Sequence, residues 1–202
     1  MKINIYLAGV GGQGILTAAQ VLGKVAVENG VNVLVNETHG MAQRGGVVTC
    51  NVRYGDVFSP LIPEGEADVV TAFEPVEAVR SLRIANENTF FIVNTARIYP
   101  FTVSLGQEKY PSMEEIIEKI EGFTRRAVFL DANELARGAG NEITANMVLV
   151  GGIFALGVLP FVKEQFDTTI ERVLPRNIIR VNLKAFDAGN RFVKKKIAAK
   201  GY

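Results

Sequence analysis

With 202 residues, 22 basic against 21 acidic side chains and 48% hydrophobic residues, the chain is long enough to bury roughly 70% of its unfolded surface. It carries no global field that would draw in nucleic acid or an anionic membrane, and its composition excludes disorder and fibrous repeats. A lone cysteine, Cys50, excludes an internal disulfide and a self-contained iron–sulfur cluster, which takes about four thiolates.

Residues 3–8 form a short apolar run, which the glycine-rich stretch 9–14 breaks too early for a signal peptide. Leu16, Ala19, Leu22 and Val25 then recur at helical spacing and predict a helix over 16–28, with a second strand at 31–35. Strand, glycine turn, helix and strand within about 30 residues predict a right-handed βαβ crossover and hence a largely parallel sheet. Over 45–53 the sequence alternates, Val48, Cys50 and Val52 against Thr49, Asn51 and Arg53. That pattern predicts a half-exposed strand leading into a hairpin at Tyr54-Gly55-Asp56, with Cys50 as a small buried hydrophobe.

Further strands are expected at 68–73, 90–93 and 127–131, and helices near 74–85 and 112–121. Ser112 followed by Glu115 supplies a capping box for the latter. The remainder is expected to be helical through 202, with Lys194-Lys195-Lys196 at a solvated helix end. The longest uncharged run, 143–162, has the length of a membrane span, but it contains Thr144, Asn146, Pro160 and several glycines and predicts a buried helix instead. Its Gly151, Gly152 and Gly157 admit a close neighbour, either another helix of this chain or a partner. The expected fold is a single α/β domain over 1–202: a largely parallel twisted sheet with flanking helices, a Rossmann-like opening βαβ unit and a helical C-terminus.

Two segments carry candidate chemistry. Gly9, Gly11 and Gly14 have GxGxxG spacing between a strand and a helix, and with Glu37 after the second strand they match the dinucleotide fingerprint. Backbone amides of Gly9, Gly11, Gly12, Gln13 and Gly14 at a helix start favour a phosphate or carboxylate; the same glycines also suit a tight turn with close helix–sheet packing. Ile15 and Leu16 stand where a P-loop needs lysine and a hydroxyl residue, which argues against an ATPase or GTPase. The second segment, 37–46, holds the only histidine, His39, and ends in Arg44, Gly45 and Gly46. A loop after a parallel strand lies at the carboxyl edge of the sheet and faces the glycine turn. There His39 could exchange a proton, Arg44 could hold a carboxylate or phosphate, and Gly45 and Gly46 could offer amides. Loop hydrogen bonding and salt bridging are the alternative roles of His39 and Arg44. One histidine without neighbouring thiols or carboxylates does not make a metal site.

Gly9-Val10-Gly11-Gly12-Gln13-Gly14, together with the segment Glu37-Thr38-His39-Gly40-Met41-Ala42-Gln43-Arg44-Gly45-Gly46, resembles the gamma-type subunits of 2-oxoacid:ferredoxin oxidoreductases, most closely those of the indolepyruvate branch. Asn182, Ala185, Phe186 and Gly189 are similar to the family's N-x-x-A-F-x-x-G pattern. The resemblance implies ferredoxin-dependent oxidative decarboxylation of indolepyruvate and related aryl pyruvates to an acyl-CoA and carbon dioxide. It implies that thiamine diphosphate, Mg2+ and [4Fe-4S] clusters sit on a larger alpha subunit, with coenzyme A as co-substrate and ferredoxin as electron acceptor. It further implies a cytoplasmic heterotetramer of two alpha and two beta chains, this chain holding no cofactor and inactive alone. Two alternatives stay open: an NAD-dependent oxidoreductase domain, with Glu37 on the ribose, and a purely structural subunit that stabilises its partner.

Overall fold

A computed structural model describes residues 2–40, 46–100, 103 and 105–201. Six strands form one mixed sheet in the order β2-β3-β1-β4-β5-β6: β1 Lys2–Val10, β2 Val33–His39, β3 Val47–Gly55, β4 Ala67–Ala72, β5 Ala85–Asn94 and β6 Ala127–Leu130. Neighbours from β1 through β4 and β5 to β6 are parallel, as the crossovers require. Seven helices flank the sheet among the described residues: α1 Ile15–Glu28, α2 Pro75–Arg80, α3 Met113–Phe123, α4 Ala132–Ala139, α5 Ala145–Ala155, α6 Lys163–Val173 and α7 Ile179–Lys200. The larger core lies on the sheet face covered by α1 and the C-terminal helices, and the smaller one on the opposite face beneath α2 and α3.

The opening unit departs from the expected crossover. α1 does return the chain to a strand running in the direction of β1, but β3 inserts antiparallel between β1 and β2. β3 is also neither half-exposed nor the first arm of a hairpin at 54–56. Both of its faces are buried from Cys50 to Tyr54, because the segment that follows folds back over the sheet. Arg53 Nη1 donates to the carbonyls of Ser59 at 2.7 Å and Leu61 at 2.6 Å, its Nε donates to Asn4 Oδ1 at 2.9 Å, and Asn51 Oδ1 accepts from Ile62 N at 3.2 Å. The hairpin is the β2–β3 connection instead.

Ser112 caps α3 through the reciprocal capping box read from the sequence. The expected helix over 143–162 is shorter: α5 ends where Gly157 takes a left-handed φ of 68°. Its residues Asn146 to Ile153 are all buried, and the glycine-bearing face packs within the chain. A Cβ on Gly151 would lie 2.0 Å from Phe186 O, and one on Gly189 of α7 would lie 1.8 Å from Val148 O. The two helices therefore touch backbone to backbone, which explains why the run 182–189 needs its glycine. No helix among the described residues is long and apolar enough to cross a membrane.

Candidate functional site at the carboxyl edge of the sheet

The glycine turn follows β1 at the edge where the parallel strands end. Gly12 takes φ 104° and Gly14 φ 76°, both left-handed and accessible to glycine at low cost. The glycines divide by what surrounds them. A Cβ on Gly9 would meet Gln13 Oε1 and Phe73 Cβ at 2.7 Å, and one on Gly14 would meet Asn146 Nδ2 at 2.6 Å; the first position is crowded by the turn and the end of β4, the second by α5. A Cβ on Gly12 would have nothing within 4 Å, and one on Gly11 nothing nearer than 3.7 Å, so both positions are uncrowded, although the Gly11 N–H is taken by the Gly46 carbonyl. Gln13 is a strut: its Oε1 accepts from Val10 N at 2.8 Å and its Nε2 donates to Phe73 O at 2.7 Å.

The turn separates two crevices. One, of about 370 Å3, is lined by Val10, Gly11, Gly12, Leu16, Thr17 and His39. The other, of about 540 Å3, is lined by Gly11, Gly12, Asn94, Arg97, Asn133 and Ile143, among others. α1 begins beneath the turn with no side-chain cap and no acidic residue in its first turn, leaving its positive end for an incoming anion.

The hairpin meets this turn at Gly46: Gly11 N donates to Gly46 O at 2.9 Å. Glu37 and His39 lie within β2 rather than in a loop after it. Both are exposed, with His39 Nε2 at 3.7 Å from Glu37 Oε2. Arg44 and Gly45 lie outside the described residues. The dinucleotide reading loses the arrangement it depends on, because β3 separates β2 from β1 and places Glu37 two strand spacings, about 10 Å, from the strand that carries the glycine turn.

The second crevice contains residues that no sequence motif marks. Asn94, at the end of β5, donates to Phe73 O at 3.1 Å and to Asn133 Oδ1 at 3.0 Å, and accepts from Ala132 N at 2.9 Å. It ties the ends of β4 and β5 to the start of α4. Asn133 Nδ2 donates to Glu142 Oε1 at 2.9 Å; that bond, with Arg137 beside it, holds the Glu142 carboxyl below the usual range. Glu74, 2% exposed, caps α2 and accepts from Ile98 N at 3.4 Å and from the Tyr110 hydroxyl, pinning the wall that carries Arg97. Burial and the Glu74 carboxylate push the Tyr110 hydroxyl well above the ordinary tyrosine range. The available signal was positional: Asn94 follows an apolar strand run at its carboxyl end, where open α/β sheets place ligands.

Cys50 is fully buried, and burial, with Glu37 nearby, pushes its thiol up to about 12. Such a thiol is no cluster ligand, so the residues present do not fit an iron–sulfur group. Among the described residues no three histidine, cysteine or carboxylate side chains gather as a metal site.

Comparison with known proteins agrees with this architecture. The family model for pyruvate ferredoxin/flavodoxin oxidoreductase matches residues 4–192. The indolepyruvate oxidoreductase subunit IorB of Archaeoglobus fulgidus is 44% identical over 189 residues, covering 94% of each chain, and that of Pyrococcus horikoshii is 43% identical over 195 residues, covering 96% of each. Among solved structures, the pyruvate oxidoreductase subunit PORC of Thermotoga maritima superposes with a TM-score of 0.71 at 22% identity, covering 94% of this chain and 96% of that one.

Proposed function

The chain belongs to the pyruvate ferredoxin/flavodoxin oxidoreductase family, among the small subunits of 2-oxoacid oxidoreductases, and from that premise we propose that it completes an indolepyruvate-oxidising complex. The observation that carries the substrate is the identity of 44% and 43%, over nearly the whole length, to subunits named for indolepyruvate. In this reading the complex oxidatively decarboxylates indolepyruvate and related aryl pyruvates in the cytoplasm, with coenzyme A as acyl acceptor and ferredoxin as electron acceptor. Thiamine diphosphate, Mg2+ and [4Fe-4S] clusters, carried by a larger alpha subunit, supply the decarboxylation and electron-transfer chemistry.

This chain's part is to present the carboxyl edge of its sheet to that subunit. Gly12 offers uncrowded backbone beside a helix start, which suits a phosphate or carboxylate, while Gly11 N holds the Gly46 carbonyl. Gly9, Gln13 and Gly14 hold the turn in shape. His39 on β2 and Gly46, whose carbonyl accepts from Gly11 N, form the opposite flank, and Arg44 and Gly45 are assigned to the same role by their sequence alone. His39 lines the crevice beside the turn, where it can donate to or accept from a bound group.

The test is the double variant His39→Ala/Arg44→Ala, assayed for assembly with the large subunit and for viologen reduction with indolepyruvate and coenzyme A. Loss of turnover of about tenfold or more in an assembled complex is expected, the scale of a lost charge-assisted contact. Unchanged assembly together with unchanged turnover would leave this flank without a role and favour a purely stabilising subunit.

A further inference from the structure

The two outer strands of the sheet end differently. β6 is four residues long and lies against α7, whose Lys200 Nζ donates to Ala127 O at 2.9 Å. β2, at the other end, runs for seven residues with no proline, no lysine or arginine and no break in its register with β3, leaving Glu37 as the one charged carboxylate on this edge.

Its outward groups can be identified. Gly55 N donates to Asn32 O at 2.8 Å and Gly40 N to Val47 O at 2.8 Å, and both contacts join directly opposed positions when the β2–β3 register is extended by one residue at each end. The even-numbered residues of β2 therefore exchange hydrogen bonds with β3. The backbone N–H and C=O groups of Val33, Val35, Glu37 and His39 point away from the sheet.

We propose that this edge pairs antiparallel with β2 of a second copy of the chain, about a two-fold axis through Asn36, joining two six-stranded sheets into one. The strand is self-complementary in that register. Val33 falls opposite His39 of the second copy, and Val35 opposite Glu37, so every outward residue of both copies is matched and no like charges stand directly opposed. Centring the pair on Glu37 would set carboxylate against carboxylate. Centring it on Val35 would leave His39 opposite a residue beyond the strand. The Asn36-centred register also covers Val35, which is 40% exposed.

The register has a sharp test. Asn36 meets its own copy at a non-hydrogen-bonded pair, where Cα atoms approach to about 4.5 Å, within disulfide range; Val33 lies far from its counterpart. Under mild oxidation Asn36→Cys should become a covalent dimer and Val33→Cys should not, the buried Cys50 taking no part in either. Val35→Pro removes only an outward N–H, which an edge strand tolerates, and should weaken the dimer by about tenfold or more in light scattering across a dilution series. A folded Asn36→Cys protein that stays monomeric would overturn the proposal. So would protection of the outward β2 amides from hydrogen exchange that appears only on adding the large subunit, since that outcome assigns the edge to a strand of the partner.

Discussion

Substituting Gly151 by alanine tests the packing that organises the C-terminal half. The added Cβ would lie 2.0 Å from Phe186 O. An ordinary contact is about 3.5 Å, so α5 and α7 would have to part by roughly 1 Å or more, or bend. Overpacking of this kind costs about 1–3 kcal/mol, and more when the obstacle is backbone, while the separation forfeits contacts along the rest of the helix pair. Alanine's better helix propensity returns about 1 kcal/mol. A net loss of about 2 kcal/mol is expected, lowering Tm by roughly 4–8 °C for a chain of this size. Gly138→Ala is the matched control, because Gly138 is also helical and a Cβ added there would have nothing within 4 Å; it should gain about 0.5–1 kcal/mol. Urea unfolding of both variants, followed by far-UV circular dichroism, reads the difference. Equal stability of Gly151→Ala and wild type would show that these helices are not in backbone contact.

Two further outcomes follow from buried ionisable groups. Glu77 is 4% exposed, and burial raises its carboxyl above the usual range despite Arg80 at 2.5 Å. A raised acid favours folding when protonated and loses that contribution as pH rises through its folded value. Glu77→Gln should therefore match wild type near pH ~4 and gain relative to it toward pH ~7 in chemical unfolding; the opposite trend would mean that the Arg80 attraction outweighs desolvation. Cys50, with its thiol pushed up to about 12 by burial, should react with a thiol reagent near pH ~8 only on unfolding, and its contribution to stability should fall as pH rises above about 9. Rapid labelling of the native protein would contradict the burial.

Local chemistry made much of the fold legible: the glycine turn, the capping box at Ser112, and the buried character of the run 143–162. Strand order was not, because β3 is distinguished from a neighbouring edge strand only by long-range pairing. Its Asn51 and Arg53 read as solvent-facing by alternation, yet they are satisfied by Ile62 N and by the carbonyls of Ser59 and Leu61, in the segment that folds back over them. The same limit applied at the site. The glycines and His39 stood out by type and spacing, whereas Asn94 and Asn133 acquire significance only when β5 and α4 meet at the sheet edge. The run 143–162 also illustrates the limit from the other side. Its small residues were visible, but only the observed approach of Gly151 to Phe186 shows that this glycine serves α7 rather than a partner.

The most direct test of the proposed function is to co-express the chain with its large-subunit candidate and measure indolepyruvate- and coenzyme A-dependent viologen reduction with and without it. Reduction that requires both chains is the predicted result. A large subunit that turns over at full rate alone, or that forms no complex with this chain, would contradict the account.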